Sequence, residues 1–295
     1  MKLPKSIFTP ALMLAIFTAL LVAACQRERQ QPTSEQTQNA SVYDAVMKAG
    51  KIRVAFVSYP PGCIVNPNTK EVSGIFPEVL RRIGENLGLK VEYTEEVGWG
   101  TMIEGLESGR YDIIGSPVWS NPKRGKLALL SKPVYYSGIG VWVRPDETRF
   151  APENNWSSIN SPDVRIAAMD GSTPLEIART MFPNAKVVSY PDMTGEPQLF
   201  LDITANKADV FFAEPSLGIN FLNNNPGKVR NIAADHPIKV FPTSFMMKKR
   251  EFQLKAMIDT ALEDLENSGF VDQVIKRYEP GPNAIYRVAT PYRTN

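Results

Sequence analysis

The sequence predicts an α/β protein built as two lobes, and three observations carry that expectation. Short β-type runs alternate with helical segments through brief connections, the pattern of a mostly parallel sheet covered by helices. The same order of elements returns in the second half of the chain. At 295 residues, 43% apolar and 22% charged, the chain has ordinary globular composition and enough length for more than one core. A pair of such lobes places a ligand site between them by default.

The N-terminus reads as an address. Lys2 and Lys5 are followed by an uncharged, largely apolar run from Ser6 to Ala24. That length alone also suits a membrane span, but Val22-Ala23-Ala24-Cys25 puts small residues just before a cysteine and favours cleavage and export. The arrangement resembles the lipobox of bacterial lipoproteins, in which the cysteine is acylated. Residues 1–24 are therefore read as a lipoprotein signal peptide and Cys25 as the lipidation site. Residues 25–40, rich in Gln, Thr and Ser, lack the large apolar side chains needed to order themselves and read as a flexible tether.

The globular part begins at Ser41, which caps a short helix stopped by Gly50. Lys51 to Val57 alternates as a strand and Tyr59-Pro60-Pro61-Gly62 breaks it. A helix from Pro77 presents Val79, Leu80, Ile83 and Leu87 on one face and ends at Gly88. Lys90–Tyr93 is a strand, Met102–Leu106 a helix closed by Gly109, and Asp112–Gly115 a strand. Val164–Ala168, Lys186–Tyr190 and Ala208–Phe212 are the later strands, with Gly171–Pro174 turning into a helix after the first of them. An extended stretch from Val240 to Met247 leads to a long helix in which Leu254, Met257, Ile258, Ala261 and Leu265 recur at helical spacing.

Composition excludes several classes. Removing Lys2 and Lys5 with the first 24 residues equalises the two charge signs, so no basic excess remains for nucleic acid. The single histidine, His236, and two cysteines, Cys25 and Cys63, supply neither a metal cluster nor a disulfide framework. No Gly-Lys-Ser/Thr loop is present to hold a nucleotide. Cys63 reads as a small buried filler.

Several segments, in this order, resemble the periplasmic solute-binding proteins of ABC transporters, specifically the polar amino-acid-binding group. They are Lys51–Pro61, Gly74–Glu92, and Trp99–Asp112 with Gly109-Arg110-Tyr111-Asp112. Asn121-Pro122-Lys123-Arg124, Ser131–Tyr136, Gly171-Ser172-Thr173 and Ala208–Glu214 follow. The resemblance implies a two-lobe clamshell of the type II periplasmic binding protein fold. It implies one lobe from residues 41–140 and 241–295 and the other from 141–240. The two hinge crossovers would lie around Val141–Arg144 and Pro242–Phe245.

The resemblance also implies site residues. Arg124 matches the arginine that grips an α-carboxylate, a role suited to a planar guanidinium with parallel donors. Ser172 and Thr173 match second-lobe carboxylate contacts at a helix start, where free N–H groups favour an anion. Glu214 stands for the aspartate that accepts the α-ammonium, one methylene longer. Tyr59 and Trp99 match the aromatic pair that sandwiches the ligand side chain, and Ser116 completes the set. Two departures matter. Phe56 replaces the acid of cation-binding members, and Trp119 replaces a small hydroxyl residue, leaving either its backbone at the site or its ring in the pocket.

The expectation is an envelope-located, lipid-anchored receptor that acts as a monomer, without cofactor or metal. It delivers a small zwitterionic amino acid or relative to separate ABC permease and ATPase subunits. Alternatives are a dehydratase-like enzyme on the same fold with Glu214 as acid, a binder of cationic amines in a box of Tyr59, Trp99 and Trp119, and a sensor lobe.

Overall fold

The computed structural model describes residues 41–150, 156–282 and 284–288. The signal peptide, the tether and Cys25 lie outside the described residues. The chain opens with α1 (Val42–Ala49), β1 (Lys51–Phe56), a ribbon of β2 (Ile64–Val65) and β3 (Val72–Ser73), α2 (Ile75–Leu87) and β4 (Lys90–Glu96). α3 (Met102–Ser108), β5 (Ile113–Trp119), α4 (Pro122–Leu127), β6 (Ala128–Leu130) and the long β7 (Tyr135–Val143) follow. After a 3₁₀ turn at Ser157–Ile159 come β8 (Arg165–Met169), α5 (Thr173–Met181), β9 (Lys186–Tyr190) and α6 (Glu196–Thr204). Next are β10 (Val210–Ala213), α7 (Pro215–Asn224), β11 (Arg230–Asn231), β12 (Lys239–Lys248), α8 (Phe252–Asn267) and α9 (Phe270–Tyr278). Among the described residues no helix is long and apolar enough to cross a membrane.

The main sheet runs β4-β1-β5-β12-β7-β10-β8-β9, with β6 on β12 and β11 on β7. It consists of two halves with one plan. β1 lies parallel between β4 and β5, and β8 lies parallel between β9 and β10. Each trio is then completed by an antiparallel strand, β12 on β5 and β7 on β10. The expected parallel character holds in the trios; the centre of the sheet is antiparallel. β7 pairs with β12 over Tyr135–Ile139 and passes to β10 at Gly140. β12 pairs with β7 from Lys239 to Thr243 and with β5 from Thr243 to Met247. Two antiparallel strands thus cross between the halves.

The same ion-pair clamp braces both halves. Asp112 accepts hydrogen bonds from the Arg53 backbone N–H at 2.8 Å and its Nη2 at 2.6 Å. Asp209 accepts from the Arg165 backbone N–H and Nε, both at 2.9 Å. In each case the aspartate N–H returns a bond to the arginine carbonyl, at 2.9 and 2.8 Å. Buried carboxylates are stable when paired and hydrogen-bonded in this way. Asp209 also receives Arg144 and Arg149.

Two apolar cores follow the two halves. One gathers Phe76, Leu80 and Ile83 of α2 with Phe245, Ile258 and Leu262. The other gathers Trp142, Ile166, Phe200, Phe211 and Phe212, and it extends to Tyr59, Trp99 and Trp119 from the first half. α2 starts at Ile75, two residues before the expected Pro77. Gly74 permits this start: its φ is 108°, and a Cβ there would stand 2.7 Å from the Pro61 carbonyl. Cys63 is fully buried beside Phe56 and Val72, and burial pushes its thiol up to about 12.

Candidate functional site

The carboxyl ends of the parallel strands converge on one cleft, where α/β sheets hold ligands. β1 leads to Tyr59, β4 to Trp99, β5 to Trp119, β8 to Ser172, and β9 to the loop 191–195 before α6. Between them lies a cleft with about 380 Å³ of empty space, the open solvent at its mouth included. Tyr59, Trp99, Trp119, Arg124, Ser172, Thr173 and Glu196 all line it, with Met169 and Phe212 supplying apolar wall.

Arg124 sits in the first turn of α4, which Asn121 caps by accepting the Arg124 N–H at 2.8 Å. The side chain is only 7% exposed. Its Nη1 donates to the Trp119 carbonyl at 3.0 Å, its sole side-chain hydrogen bond among the described residues, and no carboxylate pairs with it. Burial pulls the guanidinium down to about 10 against an opposing pull from Glu176. Its carbon lies 5.5 Å from the Trp99 ring centre. A buried arginine held by one carbonyl has donors left for an anion.

Ser172 and Thr173 open α5 on the facing lobe. The Ser172 hydroxyl donates to the Met169 carbonyl at 2.7 Å and caps the Leu175 N–H at 3.4 Å. Thr173 receives a weak bond from Asn121 at 3.4 Å. Tyr59 stands edge-on to Trp99 (5.6 Å, 83°) and to Trp119 (6.3 Å, 87°), so the rings form a corner and not a parallel slot. Trp119 lines the cavity with its ring, stacks on Phe241 at 5.5 Å, and gives its carbonyl to Arg124. Of the two placements weighed for it, the structure puts the ring in the cavity wall, while its carbonyl serves Arg124.

Two expected residues lie elsewhere. The Ser116 hydroxyl is buried in the frame, accepting the Val57 N–H at 2.8 Å and donating to the Val57 carbonyl at 2.9 Å. Glu214, 1% exposed, is outside the cavity lining. Its Oε1 accepts from Trp119 Nε1 at 2.5 Å and Ser137 Oγ at 2.7 Å, and its Oε2 from Ser216 Oγ at 3.3 Å. Phe56 also faces away, edge-on to Tyr93.

One lining residue was not anticipated. Glu196, 4% exposed, begins α6 and receives its own backbone N–H and the Trp99 indole. Burial pushes its carboxyl up to about 7. In sequence, Gly195-Glu196-Pro197 reads as an ordinary helix start with a first-turn acid. Nothing in that pattern signals burial.

The lobes also touch directly. Asp192 accepts the Trp99 N–H at 2.9 Å and the Gly100 N–H at 2.8 Å. Gly171, at φ 71°, lies so close that a Cβ would stand 2.3 Å from the Gly100 Cα.

Comparison with known proteins fits this geometry. A probable amino-acid ABC transporter periplasmic-binding protein of Sinorhizobium fredii is 25% identical over 272 residues, covering 88% of this chain and 87% of that one. The L-cystine-binding protein of Bacillus subtilis is 20% identical over 275 residues, covering 90% and 96%. The cysteine-binding protein of Campylobacter jejuni superposes with a TM-score of 0.71 at 18% identity, covering 83% of this chain and 98% of that one. An ancestral amino acid-binding protein described as a precursor of cyclohexadienyl dehydratase gives 0.69 at 22%, covering 81% and 100%. The fold is thus the two-lobe type II periplasmic binding protein fold. Residues 52–280 match the family described as bacterial extracellular solute-binding proteins, family 3, and the chain belongs to that family.

Proposed function

We propose that the protein is an extracytoplasmic receptor, anchored through a lipid on Cys25, that captures a small zwitterionic amino acid and delivers it to an ABC permease. The observation that carries this reading is Arg124: buried, charged, and without a carboxylate partner among the described residues. A cationic group kept in an apolar cavity calls for an anion of matching shape, and a ligand carboxylate supplies one. Ser172 and Thr173 at the start of α5 add a second favourable environment for that carboxylate from the opposite lobe. A ligand held from both sides favours the closed arrangement. The relatives it resembles over most of its length bear the names of transporter binding proteins, which supports a receptor over a dehydratase. The cationic-amine reading is weakened because the guanidinium of Arg124 already lies against Trp99.

The test is a thermal-shift screen of the twenty L-amino acids. A ligand at 100 times its dissociation constant should add about 2.7 kcal/mol of stability. Arg124→Ala should abolish that shift. Silence across the whole set, or a shift that survives Arg124→Ala, would refute the reading.

A further inference from the structure

We propose that Glu196, and not Glu214, receives the ammonium group of the bound amino acid; the inference rests on the amino-acid reading above. Arg124 and Glu196 line one cavity and have no contact with each other, so they present opposite charges at separate points of the same space. That is the charge pattern of a zwitterion in negative relief. Glu214 offers no such point. Its two oxygens already serve the Trp119 indole and the hydroxyls of Ser137 and Ser216, and it is not among the residues that line the cavity.

Glu196 reaches the cavity and, among the described residues, has no cation against it. Its neighbours are its own N–H, the Trp99 indole from the loop after β4, the Tyr59 phenol, and Glu214 at longer range. Glu96 shares with it a second, solvent-open space beyond Trp99. A buried carboxylate surrounded by neutral groups and other acids is held toward its protonated form. An arriving ammonium reverses that preference, so ligand binding and proton release are coupled at this side chain.

Isothermal titration calorimetry tests this with matched pairs: L-cysteine against 3-mercaptopropionate, L-histidine against 3-(imidazol-4-yl)propionate, and L-phenylalanine against 3-phenylpropionate. Glu196→Gln should weaken the amino acid at least about 30-fold, the loss expected on removing one partner of a buried charge pair, and leave the amine-free acid within about threefold. Glu214→Gln should keep the preference for the amine. In buffers of differing ionisation enthalpy, the wild type at pH 7 should release about half a proton per amino acid, given a carboxyl near 7. Glu196→Gln should release none. Loss of the amine preference in Glu214→Gln, its persistence in Glu196→Gln, or an absence of proton release by the wild type overturns the assignment while the amino-acid reading stands. If no L-amino acid in the set binds the wild type, that reading fails, and this assignment with it.

Discussion

Replacing Arg124 by methionine should stabilise the protein while destroying its binding activity. The guanidinium is buried, and burial pulls it down to about 10. A lowering of that size corresponds to about 3 kcal/mol of unfavourable charge burial in the folded state. Two attractions offset part of it: the bond to the Trp119 carbonyl contributes about 1 kcal/mol and the contact with Trp99 about 0.5–1. Methionine keeps an unbranched apolar stem in the same space and removes the charge. The net expectation is a gain of about 1 kcal/mol, or about 2–4 °C in melting temperature for a domain of this size. The sign follows from a base whose folded value is depressed. Between pH 5 and 9 arginine is charged both folded and unfolded, so the gain is constant there and fades only as pH rises past about 10. Differential scanning calorimetry of the ligand-free proteins measures the gain, and titration calorimetry measures the lost affinity. A variant that melts below the wild type, or binds an amino acid as the wild type does, would refute the reasoning.

Asp209→Asn should cost about 3 kcal/mol at pH 7, because it strands Arg165 and loosens Arg144 and Arg149. Although burial opposes it, the bonds from Arg165 and Arg149 hold this carboxyl well below the usual range. Its contribution is therefore full above about pH 4 and lost below, so the gap between wild type and variant in urea midpoints should narrow on acidification. Asp192→Ala removes the carboxylate that receives the Trp99 and Gly100 amides, and small-angle scattering should show a larger ligand-free radius of gyration. Gly171→Ala should hold the lobes apart and weaken binding, since its methyl would meet the Gly100 Cα at 2.3 Å; unchanged affinity would contradict the observed approach. Cys25→Ser should move the protein from the membrane fraction to the soluble one or leave an uncleaved precursor.

Local patterns made much of the fold legible. The helix ending at Gly50, the strand from Lys51 and the long helix around Leu254–Leu265 all appear, because periodicity and a stop signal are properties of a short stretch. In the sequence β7 shows only as a motif and a crossover. Its run Tyr135–Val143, with Gly138 and Gly140 inside it, lacks clean alternation, and eight of its nine residues are buried because it is paired on both sides. Six of the eight candidates, all but Ser116 and Glu214, line the cavity and are legible from the resemblance, since Arg124 and its neighbours keep the motif. Glu214 is the instructive case. Lengthening an aspartate by one methylene and placing a tryptophan at residue 119 lets the two meet at 2.5 Å, and a pairing between residues 95 positions apart is invisible to any local reading. Glu196 was missed for the complementary reason, because only the packing of Trp99 from the other lobe makes a first-turn acid an interior one.

The position of β12 has a consequence for synthesis. This strand lies between β5 and β7 in the middle of the sheet, yet it is the last in chain order of the twelve strands among the described residues. A nascent chain ending before Lys239 holds two strand trios with no bridge between them. The β5 edge is bare, and so is the β7 edge over Tyr135–Ile139. α8 and α9, which cover α2, are absent as well. The trio around β8 sits within a continuous stretch and can pair as it emerges, whereas the trio around β1 must wait through more than a hundred residues for its partner. Non-local pairing of this kind is slow to form. Completion is thus deferred until β12 is made, and a chain truncated before it loses the middle of its architecture and not an end.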